Sequence, residues 1–232
     1  MSKIKTKTAA VTAIKSKKPS KTKQSTRSAG KGSPSRSKAE LRVRIAKEAL
    51  KHLNSESIKP AARDWLELNG VKELAWVYEN AVDSLPEGET EVNFNHEVED
   101  AVRAGRCKVD VTGALFVGIC TTGCRRIMIN DVEAAEDMFN NMNMFSDDQL
   151  HLMEVAYHGK NGLKGLWSLL DCAADQVTCE TFHRTHRTPK MRLKAILENI
   201  IRNKGTFVPQ SDVNLESVLE YIGTTEPLSL YA

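Results

Sequence analysis

The first 38 residues contain twelve Lys and Arg residues and no Asp or Glu. Thirteen of the 38 are Ser or Thr, and only eight are apolar. Such a segment buries too little apolar surface to offset the conformational entropy that folding removes. We therefore predict a disordered basic tail over 1–37 and a folded domain over 38–232. The twelve cations are Lys3, Lys5, Lys7, Lys15, Lys17, Lys18, Lys21, Lys23, Arg27, Lys31, Arg36 and Lys38.

The rest of the chain has the opposite net charge. Of the 33 Lys and Arg residues in the whole sequence, 21 follow Lys38 and accompany all 30 acidic residues, a net charge of −9. Two acidic blocks, 73–102 and 127–159, contain no Lys or Arg, whereas 183–204 has seven cations and one acid. Charge asymmetry of this kind is typical of a tail that binds a polyanion.

Three short patterns in the domain are typical of helix starts. Two have the spacing of a capping box, and the third places Pro directly after a favoured N-cap residue. Apolar residues recur at helical spacing after each pattern. We therefore predict an all-α domain of seven to eight helices. The patterns are Ser37 with Glu40, Ser146 with Gln149, and Thr188 with Pro189.

Further helices are predicted between these starts. Pro60 fits the first turn of a helix that the Asn69-Gly70 pair stops. The helix predicted after that pair carries net negative charge, so the two helices form a structural hairpin rather than a DNA-reading helix-turn-helix. The remaining predicted helices are 71–85, a short helix capped by Asn95, 131–140, 161–174 and about 213–222.

Residues 106–130 allow two interpretations. The stretch 107–120 could form a strand pair that turns at Thr112-Gly113, or a helix that starts after Thr112. The first interpretation makes the fold α+β with a small hairpin near 107–120, which is the alternative to the all-α prediction.

The basic residues suggest binding to nucleic acid. Cations on a flexible chain displace counterions from phosphates without reading sequence, and the tail has no aromatic residue on which bases could stack. A second set of cations lies around a predicted helix start, where backbone N–H groups also attract anions. The alternatives are targeting, solubility or self-docking for the tail and a solvated helix face for the second set. The second set is Arg184, Arg187, Lys190 and Arg192.

Cysteine and histidine pairs could in principle form a zinc site. Cys120 and Cys124 are four residues apart, as are Cys179 and His183, so each pair would share a helix face. This spacing differs from the CxxC knuckle, and a free Cys often acts as a small core residue. We predict no metal and no cofactor.

One further helix carries several side chains that could bind metal. His151, Glu154 and His158 share a face of the helix predicted after Ser146. Di-iron bundles use Glu-x-x-His, which is the reverse order, and no second matching helix occurs. We interpret these residues as the solvated side of an amphipathic helix.

Familiar catalytic and export signatures are absent from the sequence. It has no P-loop, dinucleotide-binding glycine motif, nucleophile elbow or HExxH pattern, so we predict a non-enzymatic protein. No apolar stretch approaches the ~20 residues of a membrane span, and the start lacks a signal-peptide apolar region. Five cysteines are few for 232 residues and odd in number. We expect an intracellular protein, cytoplasmic or in the nucleoid or nucleus, that is not secreted and does not bind membranes.

These observations lead to three functional hypotheses. The leading one is a binding protein whose tail associates non-specifically with nucleic acid or another polyanion, while the acidic body binds a protein partner or self-associates. The second is an adaptor or inhibitor whose acidic helical faces mimic a polyanion. The third is a metal-dependent enzyme that uses the Cys and His residues.

Overall fold

The structure is a computed structural model, and it describes residues 37–61, 65–72, 74–87, 89, 91–123, 127–129, 144–160, 170 and 173–213. All of them belong to the second of two units, 36–232. The predicted tail up to Arg36 lies outside the described residues. So do the helix predicted at 131–140, most of 161–174 and nearly all of the helix predicted at 213–222.

Helices dominate the described part of the chain. They are α1 (Lys38–Asn54), α2 (Leu74–Val82), α3 (Phe94–Arg103), α4 (Val111–Thr121), α5 (Asp147–His158), α6 (Ala173–Thr185) and α7 (Pro189–Arg202). A 3-10 turn follows at Pro209–Asp212. The strands are β1 (Ile58–Pro60), β2 (Leu66–Leu68), β3 (Val92–Asn93), β4 (Cys107–Val109) and β5 (Met128–Ile129).

The predicted helix starts are confirmed by their caps. Ser37 Oγ accepts from the backbone of Glu40, and the Glu40 carboxylate accepts from the Ser37 backbone in return. Ser146 and Thr188 also accept hydrogen bonds from the backbone three residues later. The predicted cap at Asn95 is wrong, because that residue lies inside α3 and its buried amide bonds Cys120 and Ile127.

The all-α prediction is incomplete, because the described residues also form two small sheets. β4 is the central strand of the larger sheet, parallel to β1 and antiparallel to β2. The smaller sheet pairs β3 with β5. The α+β alternative is consistent with this arrangement, although β4 pairs with two strands outside 107–120 rather than within a local hairpin.

The helix predicted from Pro60 to the Asn69-Gly70 stop is wrong, and with it the helical hairpin. Pro60 ends β1, an edge strand, where a residue without an N–H is tolerated. Leu66 begins β2, and Asn69 and Gly70 then form a turn in which both have positive φ. A pattern of Pro followed by apolar residues therefore did not distinguish a helix from an edge strand.

Helix α4 is the centre of the core. Every residue from Val111 to Cys120 is buried, as expected for a helix that is apolar all round. Two glycines allow this packing. A Cβ on Gly113 would lie 1.7 Å from the carbonyl oxygen of Trp65, and one on Gly118 would lie 2.6 Å from that of Ile45 in α1.

Helices α1 and α7 pack against each other in antiparallel directions. Just after α7, a Cβ on Gly205 would lie 2.6 Å from the carbonyl oxygen of Ala39 in the first turn of α1. At the opposite end, Lys190 Nζ lies 2.8 Å from the Glu56 carboxylate, just after α1.

Within the described part of the chain, no helix has the length and apolar character needed to cross a bilayer.

Candidate functional site

Three ionisable side chains meet where α4 begins beside α5. Asp110 follows β4 and caps α4, with its Oδ1 accepting a hydrogen bond of 2.9 Å from the Gly113 backbone. Glu154 and His158 lie one turn apart on α5. Asp110 is the single residue between the end of β4 and the start of α4, and it is buried.

The atoms of this Asp110–Glu154–His158 cluster are close together. His158 Nε2 lies 3.5 Å from Asp110 Oδ2 and 3.1 Å from Glu154 Oε2. One potential ligand atom from each residue lies within 4.8 Å of the other two. The second oxygen of Glu154 accepts a hydrogen bond from Thr112 Oγ1 in α4.

The cluster is shielded from solvent. The side chains of His158 and Asp110 are 3% and 4% exposed. Burial alone would lower the pKa of His158, but the neighbouring Asp110 and Glu154 carboxylates outweigh it and raise that pKa to about 9. Burial raises the pKa of Glu154, and the Asp110 charge raises it further. Two carboxylates against one imidazolium leave one negative charge that a proton or another cation must balance.

Neighbouring side chains hold α5 in place around the cluster. Tyr157 donates a buried hydrogen bond of 2.6 Å to the carbonyl oxygen of Ala61, at the end of β1. His183 Nδ1 lies 3.0 Å from the Tyr157 carbonyl oxygen, which ties α6 to the last turn of α5. The Arg192 guanidinium lies over the Tyr157 ring, 5.8 Å from its centroid. The position of His158 is therefore fixed by three elements besides its own helix.

The interpretation of His151, Glu154 and His158 as one solvated face is wrong for two of the three. Glu154 is 9% exposed and the His158 side chain is 3% exposed, whereas His151 is half-buried and outside the cluster. Asp110 was not among the residues predicted from the sequence to form a site. Asp is a favoured N-cap residue, and its position could have indicated a helix start at Val111. The helical interpretation of 107–120 instead began the helix after Thr112.

The three zinc candidates that the structure describes lie in helices, but they form no metal cluster among the described residues. Cys120 lies in α4 and Cys179 in α6, and both are buried. Burial raises the pKa of Cys179 to about 12, so this thiol stays protonated near neutral pH. His183 bonds the α5 backbone. Cys124 lies outside the described residues.

The second set of cations lies in varied surroundings. Arg184 is exposed at the end of α6 and pairs with Glu180 at 3.1 Å, and Arg187 is exposed in the loop before α7. Lys190 is exposed and pairs with Glu56. Arg192 is half-buried and donates to the carbonyl oxygens of His186 and Arg187. Arg192 thus packs the start of α7, while the other three face solvent.

Comparison with known proteins gives no match. No family model, no curated protein and no solved structure matches this chain.

Proposed function

We propose that this protein is a non-enzymatic binding protein whose N-terminal segment associates with nucleic acid or another polyanion without reading sequence. The observation that carries this proposal is the charge of residues 1–38, which hold twelve cations and no acid in a chain whose remainder is −9. Segregated charge of this size favours binding through release of condensed counterions.

The two basic helices of the folded body support the proposal. Helix α1 carries five cations and two acids, and α7 carries four cations and one acid. The antiparallel packing of α1 on α7 places these helices side by side. Lys38, Lys47 and Lys194 are all exposed on them. The body would therefore offer additional phosphate contacts beside those of the basic segment.

The test measures how affinity for a DNA duplex depends on salt. Fluorescence anisotropy would compare the full chain with a variant in which the eleven Lys and Arg residues before Ser37 are replaced by Gln. Each neutralised phosphate contributes about 0.9 to the slope of log K against log salt, so the wild-type slope should lie between zero and about −10. The Gln variant should lose most of this slope and most of its affinity.

A full-length variant with the order of residues 1–36 shuffled is the matched control. It keeps every charge, so it should bind as wild type does if binding depends on charge alone. Equal binding by wild type and the Gln variant would refute the proposal. Strong binding by wild type but not by the shuffled variant would show that the segment recognises a specific partner instead.

A second candidate function is protein binding through the acidic helical faces, and α2 favours it. Trp76 is 57% exposed there, and the nearby acidic residues Glu79 and Asp83 are exposed as well. An exposed Trp beside carboxylates is a typical anchor for a basic protein surface. Trp76→Ser should weaken binding to an Arg-rich peptide at least tenfold, whereas Met191→Ser, which removes an exposed apolar residue from the basic α7, should not. Equal affinities would remove this candidate.

A further inference from the structure

We propose that Asp110, Glu154 and His158 bind a divalent transition-metal ion between α4 and α5. This site is independent of the polyanion binding proposed above, because none of its ligands lies in the basic segment. Three features support the site: the spacing of the ligand atoms, an unsatisfied carboxylate oxygen and the groups that orient the ligands.

The spacing matches the edges of a coordination polyhedron. Nitrogen and oxygen ligands lie about 2.1 Å from zinc, so neighbouring ligands are separated by about 3.0 Å in octahedral and about 3.4 Å in tetrahedral geometry. His158 Nε2 lies 3.1 Å from Glu154 Oε2 and 3.5 Å from Asp110 Oδ2. The three ligand atoms all lie within 4.8 Å of one another, so an ion could contact all of them after a small inward movement of the carboxylates.

Glu154 Oε2 gives an independent indication of a missing ligand. This oxygen is buried within the cluster and makes no hydrogen bond. The imidazole of His158 is at ion-pair distance, but the geometry is not that of a hydrogen bond. Leaving a buried carboxylate oxygen without a hydrogen bond is costly. A cation at the centre would contact this oxygen and balance the negative charge.

The remaining oxygens of both carboxylates are already used to orient them. Asp110 Oδ1 accepts from the Gly113 backbone, and Glu154 Oε1 accepts from Thr112. Each carboxylate is thus held by one oxygen and presents the other to the shared centre. Such outer contacts are typical of metal sites, where they fix the ligands before the ion binds.

The donor set indicates which ions fit. One imidazole and two carboxylates suit zinc, manganese, iron or cobalt. Calcium takes six to eight oxygen ligands and magnesium retains several waters, so neither matches this nitrogen-containing, buried site. Three protein ligands leave at least one coordination position for water.

The test is metal binding by the full chain, using cobalt and zinc separately after chelator treatment. Equilibrium dialysis with elemental analysis should give one tightly bound ion per chain, and the thermal midpoint should rise with zinc. Glu154→Gln should weaken binding at least tenfold, because it removes the charge of one ligand at nearly constant volume. His151→Asn is the matched control, since His151 lies on α5 outside the cluster, and it should bind as wild type does.

Cobalt spectra and stability measurements distinguish this site from ligation by cysteine and from a charged cluster that binds no ion. Ligation by nitrogen and oxygen gives visible bands without the thiolate-to-cobalt charge-transfer band, whose appearance would assign the ion to cysteine and overturn the proposal. Without metal, Glu154→Gln should keep or raise the thermal midpoint, because it removes an unbalanced charge. Absence of tight binding by wild type, or equal weakening by His151→Asn, would also overturn the proposal.

Discussion

Replacing Gly113 by Ala tests the close approach of α4 to the start of β2. The new Cβ would lie 1.7 Å from the carbonyl oxygen of Trp65, 2.8 Å from its carbonyl carbon and 3.3 Å from Val109 Cβ. Because the two nearest atoms are backbone, no side-chain rotation relieves the clash. The helix must move away from the strand by more than about 1 Å to restore an ordinary contact.

The cost follows from what this movement breaks. Overpacking a core costs about 1–3 kcal/mol and more where the backbone must shift, whereas Ala in a helix regains about 0.5–1 kcal/mol over Gly. The movement also strains the 3.1 Å hydrogen bond from the Asp110 backbone to Trp65, worth about 1 kcal/mol. We expect Gly113→Ala to lower the free energy of unfolding by about 3–4 kcal/mol.

Urea unfolding of the full chain, followed by far-UV circular dichroism, measures this loss. Gly105→Ala is the matched control, because its Cβ meets nothing within 4 Å and only its positive φ of 65° is strained. That strain costs about 1–2 kcal/mol. Gly118→Ala, with a Cβ 2.6 Å from the Ile45 carbonyl oxygen, should fall between the two. If Gly113→Ala loses less stability than Gly105→Ala, the inferred packing of α4 is wrong.

Two further predictions concern buried polar groups. Asn199→Ala should lower the free energy of unfolding by about 2–4 kcal/mol in urea, because the buried amide bonds the N–H and carbonyl of Val208. Asn203→Ala, at a half-buried position, should lose less, and equal losses would contradict the prediction. The second prediction concerns pH. In the presence of a chelator, wild type should have a larger free energy of unfolding than His158→Asn. This difference should be complete below about pH 6.5 and should fall as pH rises through about 9. The sign follows because the pKa of His158 is raised to about 9 in the folded state, and constant or increasing stabilisation over that range would refute it.

The helix starts were predictable because their signals are local. Ser37 with Glu40, and Thr188 with Pro189, act on backbone groups within one turn, so no distant residue decides their structure. The turn at Asn69 and Gly70 was predictable for the same reason, since both residues tolerate positive φ.

The sheets and the cluster were not predictable, because distant residues decide them. A three-residue strand such as Ile58–Pro60 has no period of its own, and only pairing with β4 makes it a strand. The helical spacing correctly placed Glu154 and His158 on one face of α5. Their burial, however, depends on the packing of α4 against that helix. Asp110 lies 44 residues before Glu154 in the sequence, and no local pattern relates residues that are so far apart.

The burial of α4 from Val111 to Cys120 has a consequence for hydrogen exchange. An amide exchanges with deuterium only when an opening exposes it, and small openings at a protein surface do not reach a helix that other elements cover on every side. Amide protons from Leu115 to Cys120 should therefore exchange only when the whole domain unfolds. Their exchange rate would report the global unfolding free energy in native buffer, without denaturant.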